Sequence, residues 1–203
     1  MRFVIFGAGG HSREVADLVI AAGHEIAGFQ DDQFTGEHRP TGLVVTDGWR
    51  ELEAEAGTIA IGDTAARDAF YQRLAGQIAL PVLVHPSACV SVYARVGDGT
   101  QVMQNVVVNS AALVGVNVIL NVGCLVAHDC AVGDHCHIAP GAIMSGGSSV
   151  GERCLLGSAA VLLPGVSVGA DCVVGAGAVV TRDVPDGSVV RGVPGRAESR
   201  GDR

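Results

Sequence analysis

Residues 113–144 read LVGVNVILNVGCLVAHDCAVGDHCHIAPGAIM. Every sixth residue in this stretch is aliphatic or Met: Val114, Leu120, Val126, Val132, Ile138 and Met144. The beat continues without a miss in both directions, back to Val90 and on to Val180. Four places after each beat the residue is nearly always small, as at Ala112, Cys124, Cys130, Cys136, Ala142 and Ala160. A fixed short period of this kind marks a parallel β-helix of hexapeptide repeats, in which each short strand turns one branched side chain inward. Sixteen beats lie between Val90 and Val180. At three per coil they make about five coils, each rising ~4.8 Å, for a height of roughly 25 Å.

The composition agrees with that interior. The chain of 203 residues is 48% hydrophobic but only 4% aromatic, and it holds 29 glycines. A narrow core takes Val, Ala and Cys better than rings, and many tight turns call for Gly. A net charge of −8 argues against nucleic acid or an anionic membrane as the main partner. Residues 1–10 lack a basic stretch followed by an apolar one, and no apolar run approaches the ~18 residues of a membrane span. A soluble, cytoplasmic protein is the expectation.

Of the six cysteines, Cys124, Cys130, Cys136, Cys154 and Cys172 occupy the small slot of the repeat. No C-x-x-C pair occurs, so they read as core filling rather than as metal ligands or disulfides.

Residues 1–84 follow a different logic. Phe3-Val4-Ile5-Phe6 is a buried-strand run, Gly7-Ala8-Gly9-Gly10 a tight turn, and residues 13–22 a helix with Ser12 as its cap. Residues 25–29 form a second strand, ending at Asp31-Asp32. Residues 33–40 read as a loop, 44–45 as a short strand, 49–56 as a helix, 58–61 as a strand, 64–74 as a helix and 82–84 as a last strand. That order predicts a small Rossmann-like α/β domain with a parallel sheet. After Val180 the period lapses, leaving a closing segment and tail over 183–203.

A glycine-rich turn between strand and helix lets the backbone approach a phosphate, and the free N–H groups of the helix start attract anions. A dinucleotide fingerprint would place glycine where Ser12 stands, so a diphosphate site is the more open reading. Asp32, at the end of the second strand, can accept hydrogen bonds from a ribose or a base edge.

The seven histidines divide by position. His24 and His38 lie in loop-like stretches and read as solvated, and His85, before a proline, reads as structural. His11 is in the glycine turn. His128, His135 and His137 cluster on the β-helix, outside the inward slots. Zinc across a subunit interface, as in the gamma-type carbonic anhydrases, is one use of such histidines, but the wide ligand spacing of those sites is absent and no metal is expected. Solvated surface histidines are another reading. General-base catalysis is favoured because Asp129 follows His128, and a carboxylate orients an imidazole and raises its basicity.

On Val4-Ile5-Phe6-Gly7-Ala8-Gly9-Gly10-His11, Asp31-Asp32, Ala60-Ile61-Gly62-Asp63, Leu120-Asn121, Ala127-His128-Asp129-Cys130, His137 and Arg191-Gly192-Val193-Pro194-Gly195-Arg196, the chain resembles a family. It is that of the bacterial nucleotide-amino-sugar N-acetyltransferases of the sialic acid O-acetyltransferase-like type, related to the bacillosamine and perosamine enzymes. The resemblance covers nearly the whole chain. It implies a left-handed β-helix, although crossovers are usually right-handed. It also implies a homotrimer and acetyl-CoA in the cleft between neighbouring helices, with residues 1–84 binding a nucleotide sugar and 85–182 forming the acetyltransferase domain.

By the same likeness Gly9, Gly10 and His11 hold the phosphates, Asp31 and Asp32 lie by ribose and base with Gly62 near, and Asn121 contacts substrate beside the base. His128 is the general base and Asp129 its support. The family often has Glu at the position of Asp129. His137, Gly146, Ser158 and Ala176 line the acetyl-CoA cleft, with Arg191, Pro194 and Arg196 at the CoA end, where the family usually reads Pro-Ala-Lys.

The expected reaction is acetyl transfer from acetyl-CoA to the amine of a UDP-, GDP- or dTDP-linked deoxyamino sugar, for glycan or polysaccharide synthesis. O-acetylation of a sugar, as of sialic acid, and a non-catalytic scaffold that binds nucleotide sugars are the alternatives.

Overall fold

The computed structural model describes residues 1–199. Its N-terminal part is a five-stranded sheet, built from β1 (Arg2–Phe6), β2 (Glu25–Gln30), β3 (Gly36–Glu37), β4 (Val44–Thr46) and β5 (Ala56–Ile59). The order is β3-β4-β2-β1-β5, parallel except where the short β3 runs against β4. Helix α1 (Gly10–Ala21) buries Val15, Leu18 and Val19, and α2 (Thr64–Leu74) is capped by the Asp63 carboxylate on the Ala66 N–H at 2.8 Å. The carboxyl ends of β1, β2 and β5 lie side by side, and in open α/β sheets that edge is where ligands bind.

Several local expectations are corrected. Helix α1 starts at Gly10, not at residue 13, and Ser12 is buried within its first turn rather than capping it. The Ser12 hydroxyl instead donates to the Gly9 carbonyl at 2.6 Å, because the glycine turn already supplies the helix entry. Residues 49–56 hold only a 3-10 turn at Trp49–Leu52, which Glu53 ends with a left-handed φ of 49°. The strand at 82–84 does not close the α/β sheet: Leu83 and Val84 pair with Gln101 and Val102 of the β-helix. His38 is not solvated. It is 2% exposed, stacks on Phe29 at 3.8 Å between ring centres, and donates from Nε2 to the Ser12 oxygen at 2.9 Å.

From Leu83 to Val180 two-residue strands alternate with tight turns, and successive strands of a sheet pair in parallel 18 residues apart, as Val107 does with Leu125. Three sheets result. The first runs from Leu83–Val84 through Gln101–Val102, Ile119–Leu120, His137–Ile138, Leu155–Leu156 and Val173–Val174 to Ser188–Arg191 and Arg196–Ser199. The second has six strands, Cys89–Val90 to Val179–Val180, and the third five, Arg95–Val96 to Ser167–Val168. The prism is a left-handed β-helix. Its axis is filled by the predicted beat, with Leu120, Val126, Ile138, Met144, Leu156 and Leu162 all fully buried. Cys124, Cys130, Cys136, Cys154 and Cys172 are free and buried in the same interior, while Cys89 is exposed. Burial pushes the Cys124 thiol up to about 12, so it is an uncharged filler.

The α/β part sits on the first sheet. Gln101 donates to the Thr58 hydroxyl and the Ile59 carbonyl at 2.8 and 2.9 Å, joining β5 to the β-helix. No described helix is long and apolar enough to cross a membrane.

Candidate active site

His128 and Asp129 form one corner of the prism, between the strands Leu125–Val126 and Ala131–Val132. Asp129 is in the left-handed region, with φ of 59°, which among residues with side chains Asp and Asn tolerate best. That backbone folds the carboxylate back on its neighbour. The His128 Nδ1–H donates to Asp129 Oδ2 at 2.8 Å, and both side chains are about two-thirds exposed, at 67% and 66%. With the proton fixed on Nδ1, the outward Nε2 keeps its lone pair, the state a general base requires.

Gly146 lies one coil above His128. A Cβ there would come within 2.6 Å of the imidazole Cε1 and Nε2, so only glycine leaves the ring this position. The contribution of Gly146 at this corner is therefore space.

A second constellation lies between the glycine turn and the first sheet. His11 turns its two ring nitrogens to Glu14 Oε2 at 3.0 Å and to Gln101 Oε1 at 3.1 Å. The His137 ring is 6.2 Å from that of His11, centre to centre. His137 Nδ1 donates to the Gly62 carbonyl at 3.2 Å, and its Nε2 accepts from the Asn121 amide at 3.2 Å. Burial, with the Arg67 charge adding to it, lowers the His137 pKa to about 4, so the ring is neutral at ordinary pH. Asn121 is 5% exposed, and its oxygen accepts from the Val122 N–H at 2.7 Å.

A cavity of about 370 Å³ opens at the carboxyl edge of the α/β sheet, lined by residues that include Gly7, Gly9, Asp31, Asp32, Ile61 and Phe70. Asp31 is structural in part: Oδ2 accepts from the Ala8 N–H at 2.8 Å and ties β2 to the glycine turn. Asp32 pairs with Arg73 at 3.0 Å, and that bond holds its carboxyl below the usual range.

The predicted residues thus fall into separate groups within one chain. His128, Asp129 and Gly146 share the corner joining the second and third sheets, whereas Gly9, Gly10, His11, Gly62, Asn121 and His137 gather on the first sheet, across the prism. Asn121 does not lie beside His128 in the same chain. Ser158 and Ala176 are exposed on the corner joining the first and second sheets, one coil apart. Arg191, Pro194 and Arg196 lie on the closing hairpin, whose strands Ser188–Arg191 and Arg196–Ser199 pair antiparallel, and Arg191 faces Glu198 at 3.4 Å. His135, taken from its phase to be a corner residue pointing away from the core, is 5% exposed, and its Nε2 faces Asp68 of α2 at 3.3 Å.

Sequence reading missed Arg67 and Gln101. Arg67 stands on the stripe of α2 that holds Phe70, Tyr71 and Leu74, and a charged residue in an apolar stripe was the available signal. Among the described residues no group of three His, Cys, Asp or Glu is arranged to hold a metal ion.

Comparison with known proteins agrees with both halves. Residues 2–74 match the model of the PglD N-terminal domain, and residues 148–182 match the hexapeptide repeat of succinyl-transferase. The chain is 31% identical over 153 residues to the GDP-perosamine N-acetyltransferase of Escherichia coli O157:H7, covering 70% of this chain and 69% of that protein. It superposes at a TM-score of 0.92 on a histidine-to-asparagine variant of the perosamine N-acetyltransferase of Caulobacter crescentus, solved with CoA and GDP-perosamine. The identity is 37%, over 98% of this chain and 97% of that one. The acetyltransferase domain of PglB from Neisseria gonorrhoeae gives a TM-score of 0.91 and 34% identity, over 97% and 99%. That domain has also been solved with acetyl coenzyme A. The chain is an acetyltransferase and belongs to the family of the perosamine and PglB-type sugar N-acetyltransferases.

Proposed function

We propose that the protein transfers an acetyl group from acetyl-CoA to the amine of a nucleotide-linked deoxyamino sugar, of which GDP-perosamine is the first candidate. The observation that carries the chemistry is the His128–Asp129 pair at 2.8 Å on an exposed corner, under a glycine that keeps the space around the ring open. The amine attacks the thioester carbonyl carbon, a C–N bond forms, and His128 Nε2 takes the proton lost from nitrogen. The tetrahedral centre then expels CoA as its thiolate, which leaves the amide. Asp129 stabilises the imidazolium that His128 becomes. Holding amine and thioester together supplies much of the remaining acceleration.

The nucleotide occupies the cavity of about 370 Å³ by Gly9, Asp31 and Asp32, with the glycine turn at the phosphates. Its position across the prism from His128 makes a single chain insufficient, and a homotrimer answers this. The outward residues of the second sheet, Cys89, Val107, Leu125, Ile143, Val161 and Val179, make a continuous apolar face beside the His128 corner. Against a neighbour, that face brings the corner to a site which His11, Gly62 and Asn121 complete from another chain. Acetyl-CoA then runs between the helices, past Gly146, Ser158 and Ala176 toward Arg191, Pro194 and Arg196. The Caulobacter relative, solved with CoA and GDP-perosamine and in histidine variants, supports the substrate class and a histidine in the reaction.

The test is mass spectrometry of GDP-, UDP- and dTDP-linked 4-amino-4,6-dideoxysugars incubated with acetyl-CoA. One acetyl gained on an amine is expected, and loss of the His128 base should lower kcat by about 10²–10⁴. Acetyl gained only on hydroxyl sugars, or a His128→Ala enzyme at full kcat, would refute the proposal.

A further inference from the structure

Arg67 is the most thoroughly buried charged side chain in the described structure, at 1% exposure. It rises from the first turn of α2, and its guanidinium reaches six backbone carbonyls. Nη1 donates to Ile61, Gly62 and Asp63 at 2.9, 3.1 and 3.4 Å. Nη2 donates to His135 and Cys136 at 2.6 and 2.9 Å, and Nε to Asn117 at 3.1 Å. The Asn117 amide returns a bond to the Arg67 carbonyl at 3.3 Å. Three of these carbonyls belong to the turn after β5, at the edge of the nucleotide cavity, and three to successive coils of the β-helix. Among the described residues no carboxylate oxygen lies within bonding distance of this guanidinium; Asp63 and Asp68 act on it only through space. Taking such a charge out of water is costly, and removing it would leave six buried carbonyls short of a donor.

What it enforces is visible at Gly62. The carbonyl oxygen has two lone pairs; one takes Arg67 Nη1 and the other takes His137 Nδ1. His137 is thereby fixed as the Nδ1–H tautomer, and its Nε2 accepts from Asn121. Resting on the functional reading above, we infer that Arg67 is a positioning residue. Its fork sets the register between the nucleotide-binding turn 61–63 and the β-helix, and so the orientation and tautomer that His137 presents to the substrates. The groups facing His137 are Arg67 from α2, His11 from α1 and Asn121 from its own sheet, with Glu14 behind His11. Of these, His11 reaches across the seam to a single side chain, Gln101, whereas Arg67 bonds backbone carbonyls on both sides of it. Lysine cannot replace it, because one ammonium has no planar fork to span both sets of carbonyls.

The experiment compares wild type with Arg67→Lys and Arg67→Met, each checked for folding by melting and gel filtration. Long-range ¹H–¹⁵N spectra report the His137 tautomer, and steady-state kinetics use acetyl-CoA and GDP-perosamine. Both variants should lose the single Nδ1–H tautomer. The KM for GDP-perosamine should rise about tenfold or more, the equivalent of ~1.4 kcal/mol, with the KM for acetyl-CoA little changed. An unchanged His137 spectrum in folded variants overturns the inference, whatever the activity. So does an equal loss on both substrates that tracks a fall in melting temperature, since that is a purely structural role. A wild-type enzyme that leaves GDP-perosamine untouched counts against the substrate reading alone, because the tautomer spectrum still decides the role of Arg67.

Discussion

At the residue scale the site depends on what is missing as much as on what is present. His128 lies on a corner where the residue one coil above has no side chain. A methyl group at Gly146 would sit 2.6 Å from Nε2, the atom assigned to take the proton. Gly146 has an ordinary φ, so alanine brings no backbone strain and the conflict is with the imidazole alone. The exposed ring can swing away, so the fold should tolerate the change while the base loses its place. Gly146→Ala should therefore melt within a degree or two of wild type, as a surface change of about ±0.5 kcal/mol would. It should cut kcat by about tenfold to a hundredfold, as a misplaced catalytic group does. A matching loss of stability and activity, or full activity, would show that the space over His128 has another purpose. Asp129 adds the complementary lesson: its left-handed φ of 59° is part of how the carboxylate reaches Nδ1. The shorter side chain suffices because the backbone has done the reaching.

At the scale of elements, the β-helix was legible because its rule is local and repeated. One inward side chain per six residues sets the phase, and the residues at the beat from Val102 to Val180 are buried as that phase requires. The α/β part was less legible where tertiary contacts overrule local pattern. Trp49–Leu52 shows helical spacing but makes only a 3-10 turn, and Leu83–Val84 pairs with Gln101–Val102 of the β-helix although its sequence neighbours belong to the α/β part. His38 looked solvated because its neighbours are polar, yet Phe29 and Ser12, distant in sequence, enclose it. The candidate site followed the same division. The His128–Asp129 contact is between neighbours and could be read directly, whereas Arg67 depends on carbonyls 50 to 69 residues away. The coils impose a further requirement that periodicity of side chains does not display. At the corner leading into the first sheet, Gly97, Gly115, Gly133 and Gly151 stack one above another, and a Cβ on Gly133 would lie 2.6 Å from the backbone of Gly151 and Glu152. Backbone cannot yield there as a side chain can. Gly133→Ala should destabilise the β-helix by about 1–3 kcal/mol, the usual range for overpacking, seen as a lower thermal midpoint. An unaltered midpoint would mean that the coils can separate locally without penalty.

On the scale of the whole molecule, the two proposed halves of the chemistry lie on different sides of one triangular prism. The α/β part, with its glycine turn and cavity, is fastened to the first sheet by Gln101 and Arg67, while the imidazole sits on the corner opposite. A flexible linker could in principle bring such parts together, but buried bonds across the seam argue for a fixed arrangement. On the proposed reading, proximity comes from a second copy docked on the apolar face of the second sheet. This yields a test that no single-chain site can pass. Chains carrying His128→Ala keep an intact cavity but no base. Chains carrying Ala66→Trp, a substitution on the cavity wall, keep the base but have no room for the nucleotide. Each variant alone should be inactive. When equal amounts are dissociated and reassembled, some sites combine a good corner from one chain with a good cavity from its neighbour. Random mixing across a head-to-tail ring interface restores about a quarter of the wild-type sites. Recovered activity near that level, in the trimer fraction of a gel filtration, is the expected result. If the mixture stays as inactive as its components although the chains have exchanged, the base and the nucleotide that meet must belong to one chain, and the shared site fails.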